Sequence, residues 1–245
     1  MTEKMRIMLG AWSGNRIDEL LARAAKIDDT GSRIVFLSEN FLDTPYREST
    51  LVGDPRIAEE FVVNLAALDC FTFIDYIEAM RLTSSFQGFL ERLKRVRYRE
   101  GVVSYASRNH FFTDWREYNG SFVSDATNLI GKGRVRQALK TLNRRSDGSL
   151  FLEGIPVRNR ALEYIPSVMM DQDVLDELHN GDYAGIYTDV DGLDVSHVGI
   201  VIREKGAVYL RHASSAAGSR RVIDQLFRDY IKEKPGAVIL RPRPQ

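Results

Sequence analysis

Cys70 is the only cysteine in 245 residues. A lone thiol closes no internal disulfide, so the redox compartment is left open. Net charge is missing as well: 34 Lys and Arg balance 34 Asp and Glu. That balance excludes the electrostatic footprint of a nucleic-acid binder or a basic membrane-surface protein. No apolar run reaches the ~20 residues of a membrane-spanning helix, so no integral membrane segment is expected. Residues 1–10 lack the long apolar stretch of a secretory leader. The chain is therefore either cytoplasmic or an exported protein, periplasmic or secreted, after signal removal. Paired ligand motifs such as Cys-x-x-Cys or His-x-x-x-His are absent, so neither a metal nor any other cofactor is expected. Repeats, low-complexity segments and Gly/Ser linkers are missing too. The expectation is one α+β domain over 1–245, acting as a monomer.

What is present divides into a helical front and a strand-rich back. Residues 14–27 and 32–42 carry apolar side chains at helical spacing. Pro45 ends the second segment, because it disfavours the helical conformation at Thr44. Gly53-Asp54-Pro55 marks a turn, and 59–66 reads as extended. From Cys70, the positions Phe73, Ile74, Ile77 and Met80 recur at helical spacing, with Asp69 as the N-cap. Phe86 to Val96 predicts another helix. The middle, roughly 98–165, reads as irregular. Residues 184–188, 197–202 and 207–212 then read as strands, the last two joined tightly through Glu204-Lys205-Gly206. An amphipathic stretch, Val222 to Ile231, and a final strand, Ala237 to Arg241, complete the chain.

Chemistry concentrates on Cys70 and the histidines. A lone cysteine is commonly a small buried hydrophobe. At a helix N-terminus, however, the unpaired N–H groups and the macrodipole favour the thiolate, the nucleophilic form. His197 opens one predicted strand and His212 lies on the next. A short turn centred near Glu204-Lys205 sets them roughly opposite each other. One imidazole then takes the thiol proton while the other orients it, the logic of a nucleophile, base and orienter. His110 and His179 have no such partner and read as structural.

These residues carry a resemblance. Asp69-Cys70 at a helix start, Ser196-His197-Val198-Gly199-Ile200 on a strand and His212-Ala213-Ser214 on the next are similar to the NlpC-type cysteine peptidase superfamily. Four segments narrow it: 41–46 (Phe-Leu-Asp-Thr-Pro-Tyr), 64–73 (Asn-Leu-Ala-Ala-Leu-Asp-Cys-Phe-Thr-Phe), 107–115 (Ser-Arg-Asn-His-Phe-Phe-Thr-Asp-Trp) and 192–199 (Gly-Leu-Asp-Val-Ser-His-Val-Gly). In this order they resemble the N-acetylmuramoyl-L-alanine amidase-like family.

The resemblance implies a papain-like NlpC-type core, with N-terminal helices packed on an antiparallel sheet and a family-specific insertion around 98–165. It implies cleavage of the amide between N-acetylmuramic acid and L-alanine, with peptidoglycan fragments as partners. By position, Cys70 is the nucleophile, His197 the general base and His212 the orienter. Tyr46 helps hold the oxyanion. Arg108, Asp114 and Trp115 are candidate substrate contacts: the arginine for stem-peptide carboxylates, the tryptophan for a sugar face. Asp43 departs from the glycine the family tends to place before Thr-Pro-Tyr, and Arg47 stands where a smaller or apolar residue is expected. Two alternatives share the residues: an endopeptidase cutting after D-glutamate, and a peptidoglycan-binding module without catalysis. An acyltransferase of the permuted group is disfavoured, because Cys70 precedes the histidines.

Overall fold

The computed structural model describes residues 4–244, so the first positions of the leader window read above lie outside the described residues. The chain divides into two compact units, neither continuous in sequence. The first holds the described residues through Arg108, then Arg211–Asp224 and Pro244; the second holds Asn109–Leu210 and Gln225–Arg243.

In the first unit, β1 (Met5–Met8) pairs in parallel with β2 (Phe61–Asn64). Between them run α1 (Gly14–Ala24) and α2 (Thr30–Glu39); α3 (Cys70–Arg81) and α4 (Phe86–Arg97) follow. Each helix starts where a short polar side chain meets an orphan amide. Ser13 accepts from Arg16 N and Asp29 from Ser32 N. Ser85 accepts from Gly88 N, and the Asp18 carboxylate of α1 takes Phe86 N at 2.7 Å. Ile17, Leu20, Leu21 and Ala24 form the buried stripe of α1 at the spacing of a 3.6-residue period.

α3 is different, because it is buried from Thr72 to Arg81, charged residues included. Asp75 pairs with Arg97 of α4 at 2.8 Å, and Arg97 also donates to Val62 O of β2 at 2.6 Å. Glu78 takes both forks of Arg81, at 2.7 and 2.6 Å. The Tyr76 hydroxyl accepts from Asn64 N at 2.8 Å. Such charges survive burial only when paired and hydrogen-bonded.

The second unit contains α5 (Phe112–Tyr118), β3 (Val123–Asp125), α6 (Thr127–Gly131), β4 (Arg136–Leu142), β5 (Arg158–Pro166), α7 (Gln172–Glu177), β6 (Tyr183–Tyr187), β7 (Val195–Glu204), α8 (Phe227–Ile231) and β10 (Gly236–Pro242). Two strands cross the division: β8 (Ala207–Ala213) passes into the first unit after Leu210, and β9 (Val222–Leu226) returns after Asp224. The sheet runs β4-β5-β10-β6-β7, every pair antiparallel, with β3 also on β10. Ile165, Ile186, Val201, Leu210, Phe227 and Ile239 are among the residues of its apolar core. Gly185 on β6 has no substitute: a Cβ there would meet the Phe112 ring at 2.5 Å and Val195 at 2.9 Å.

The sequence expectation for 98–165 is corrected here. That region carries α5, α6, the seven-residue ladder of β4 on β5, and two 3-10 turns. β4 is an edge strand that exposes Leu139 on one face and buries Lys140 beside Leu142 on the other, so no apolar alternation marks the strand in the sequence. The amphipathic stretch 222–231 resolves into β9 followed by α8. The turn after β7 is Lys205-Gly206, one residue later than expected. Both residues have positive φ, 51° and 80°, as a two-residue hairpin turn requires. No helix among the described residues is long and apolar enough to cross a membrane.

Candidate active site

Cys70 is the first residue of α3 and is partly exposed. Asp69 and Thr72 form a complete capping box. Thr72 N donates to the Asp69 carboxylate at 2.7 Å, and Asp69 N donates to the Thr72 hydroxyl at 3.0 Å. The thiol therefore sits at a helix start that is locked in place on both sides.

Tyr46 is held beside it by backbone ladders. Leu68 N donates to Pro45 O at 2.9 Å and Arg47 N to Leu68 O at 2.8 Å. On its other side Tyr46 N donates to Arg220 O at 2.8 Å, and the Arg220 guanidinium lies 5.2 Å over the Tyr46 ring. Burial first, then the charges of Cys70 and Asp69, push the Tyr46 hydroxyl above its ordinary pKa. It is therefore a protonated donor at neutral pH. The strand segment continues: Ser214 N donates to Arg221 O at 2.9 Å, and Arg221 bridges to Pro45. A ladder thus links Ser214, Arg221, Pro45-Tyr46 and Leu68, with His212 two residues from one end and Cys70 two from the other.

His212 is 2 % exposed. Its neighbour Arg211 anchors that end of β8, donating to Asp224 at 2.8 and 2.7 Å, to the Ser38 hydroxyl at 3.0 Å and to Val35 O at 3.2 Å. Sequence reasoning missed Arg211; its partners lie up to 176 residues away. Asp43 has φ of 65°, the left-handed conformation that favours glycine. Its carboxylate meets Arg221 at 3.0 Å on the surface.

His197 belongs to the second unit. It is half-buried on β7 opposite Ile186 of β6, with the Tyr230 ring 6.0 Å away. The start of β7 is fixed by Asp194, which accepts from Thr113 N, the Thr113 hydroxyl and Val195 N at 2.7, 2.8 and 2.8 Å. Burial pushes the Asp194 pKa up, against those hydrogen bonds. The signal for it lay within two of the quoted motif segments, but nothing in a sequence joins residues 81 positions apart.

The three candidate substrate contacts are each committed within their own unit. Arg108 forks onto Glu59, with Nε at 3.0 Å, and the Tyr98 hydroxyl donates to the same carboxylate at 2.8 Å. Asp114 is buried and accepts from Arg160 at 2.6 Å and Arg158 at 3.4 Å. Trp115 is wholly buried, stacked on Phe112 at 6.1 Å and edge-on to Tyr183 at 5.3 Å. Its ring builds the core and offers no open face to a sugar. Among the described residues no group of three or more His, Cys, Asp or Glu is placed to hold a metal ion.

The model of the N-acetylmuramoyl-L-alanine amidase-like family matches residues 36–238. An N-acetylmuramoyl-L-alanine amidase from Bacteroides uniformis has a similar crystal structure: 26% identity, TM-score 0.75, covering 87% of this chain and 99% of that one. A Legionella pneumophila protein shares the fold at TM-score 0.81 and 22% identity, covering 94% of each chain. A Bacteroides fragilis protein with a provisional xylanase designation is similar at TM-score 0.67 and 28% identity, covering 83% of this chain and 98% of its own. No curated protein matches the chain.

Proposed function

We propose, from the premise that this chain belongs to the N-acetylmuramoyl-L-alanine amidase-like family, that it is a cysteine amidase acting on soluble muropeptides. The bond cut is the amide between the lactyl group of N-acetylmuramic acid and L-alanine. The observation that carries this reading is Cys70 at the first position of a capped helix with Tyr46 beside it.

In this mechanism the Cys70 thiolate attacks the amide carbonyl, after His197 has taken its proton. His212 orients His197. The tetrahedral oxyanion is held by first-turn amide donors and the Tyr46 hydroxyl, which the raised pKa keeps protonated. His197 returns the proton to the departing L-alanine nitrogen, and the peptide leaves. Water then attacks the thioester, passing its proton to His197, and frees the muramyl carboxylate. The reading carries with it a papain-like arrangement of the cysteine helix and the histidine strands. It also places the enzyme outside the cytoplasm, as a monomer.

The test is mass spectrometry of products from a defined muramyl tripeptide, with wild type and Cys70→Ala in parallel. Release of the L-alanine-headed tripeptide by wild type alone is expected. A cut after D-glutamate would move the scissile bond and leave the nucleophile. Turnover by Cys70→Ala at the wild-type rate would sink the mechanism.

A further inference from the structure

The second unit holds a cleft of about 440 Å³ that the proposed chemistry does not use. It is lined by Leu139, Lys140 and Thr141 of β4, by Arg144 and Arg145 just beyond, and by Tyr187, Asp189, Asp191 and Gly192. The two walls are tied together. Asn143 N donates to Gly192 O at 2.8 Å. The Lys140 ammonium, on a side chain almost wholly buried, donates to Thr188 O at 3.0 Å and Val190 O at 2.9 Å. Gly192, at φ of 88°, lets the loop close against Arg144 O and the Phe151 ring; a Cβ would meet them at 2.8 and 2.7 Å. Asn143, fully buried, donates to Leu152 O and Ile155 O behind the wall. The cleft is therefore a rigid frame, as ligand sites commonly are.

Its charges are arranged unusually for this protein. Arginines elsewhere are widely paired with acids, among them Arg97, Arg108, Arg160, Arg211 and Arg241. Arg144 and Arg145 share one cleft with Asp189 and Asp191, yet among the described residues no ion pair joins them. Arg145 instead lies 4.2 Å over Phe151, and Asp189 accepts from the Tyr187 hydroxyl. Lys140 is not part of the basic wall: it spends two of its three N–H bonds on carbonyls of the opposite loop, where the charges of Asp189 and Asp191 already act on it. Opposite charges held apart on two walls suit neither a simple anion nor a simple cation, since each would meet a like charge. A group carrying both charges meets a complement on each side.

We infer that this cleft binds a zwitterionic α-amino-acid centre. The carboxylate lies on Arg144 and Arg145, and the ammonium on Asp189 and Asp191. A diamino acid in a stem peptide has such a centre free at its far end. Only that choice of source rests on the amidase reading; the charge arrangement stands without it.

The experiment titrates the full-length wild-type protein with meso-diaminopimelate, which has no scissile amide, and follows backbone amide shifts. Saturation by about 10 mM is expected, with shifts confined to 139–145 and 187–192. The doubly N-acetylated analogue and 1,5-diaminopentane, each of one charge sign, should bind at least ~10-fold more weakly. So should meso-diaminopimelate to the pairs Arg144→Gln with Arg145→Gln and Asp189→Asn with Asp191→Asn, all four exposed positions whose thermal melts report any misfolding. No saturation, shifts elsewhere, or equal binding of either single-sign analogue overturns the site. Equal binding of L-alanine overturns the stem-peptide source. Cleavage of muropeptides, measured separately, bears on neither result.

Discussion

The four quoted motif segments fold as two pairs, and the pairs are made stable in opposite ways. In the first unit, Thr44-Pro45-Tyr46 lies against Leu68-Asp69-Cys70 through backbone bonds, and the helix behind them is braced by buried charge. In the second, Thr113 meets Asp194 through a single buried carboxylate, and the strand that follows sits in an apolar sheet. Charge networks are directional and hold one geometry; apolar packing is strong but forgiving of small shape changes. The helix that begins at Cys70 is on the directional side of that contrast.

The contrast breaks most easily at Arg97. Arg97→Met removes the ion pair to buried Asp75 and the bond to Val62 O, at a cost of about 3–5 kcal/mol. The urea midpoint should fall accordingly, and a second change, Asp75→Leu, should recover much of it. Full stability of the single variant would show that the bracing is ornamental.

Next is Tyr46→Phe. On the proposed mechanism, loss of the Tyr46 hydroxyl should lower kcat about 100-fold or more while KM holds. Because burial and neighbouring charge raise the Tyr46 pKa, the hydroxyl stays protonated across the neutral range. The variant's pH–rate profile should keep the wild-type shape, and a lost basic limb would mean that Tyr46 titrates in catalysis.

Ile239→Val tests the other unit. One methylene removed from the β10 core position costs about 1 kcal/mol, with no change in kcat. A loss above about 3 kcal/mol would show that the sheet is as geometrically exacting as α3. The smallest effect is expected of Asp43→Gly. It relieves a left-handed residue and gives up a surface ion pair worth little, for a gain of about 0.5 kcal/mol. A shifted midpoint at constant m-value reads it; a net loss would mean that the Arg221 pair outweighs the strain.

Local signals were the readable ones. Asp69 before an apolar period predicted the cap and the start of α3 to the residue, because a helix N-terminus is written in adjacent positions. β6, β7 and β8 were visible as apolar runs bounded by turn residues. β4 was not: it exposes Leu139 and buries Lys140, against the apolar-in pattern, and its partner lies across a long loop. The β9 to α8 switch was hidden because one apolar pattern serves a short strand and a short helix equally. The pairings of Asp75 with Arg97, Glu59 with Arg108 and Asp114 with Arg160 were not legible, since pairing depends on tertiary contact. The resemblance therefore named Arg108 and Asp114 as candidate substrate contacts, whereas the fold spends both on internal pairs.

The ladder that seats Tyr46 has a consequence for synthesis. Tyr46 and Cys70 leave the ribosome early, but the partners of that segment, Arg220 to Val222, emerge some 150 residues after Cys70. At ~5–20 residues per second this is a delay of about ten to thirty seconds. Throughout it, Tyr46 lacks its outer strand and α2 lacks Arg211. A nascent chain thus carries its thiol without a finished surround, and the corner around Tyr46 closes only when translation is nearly over.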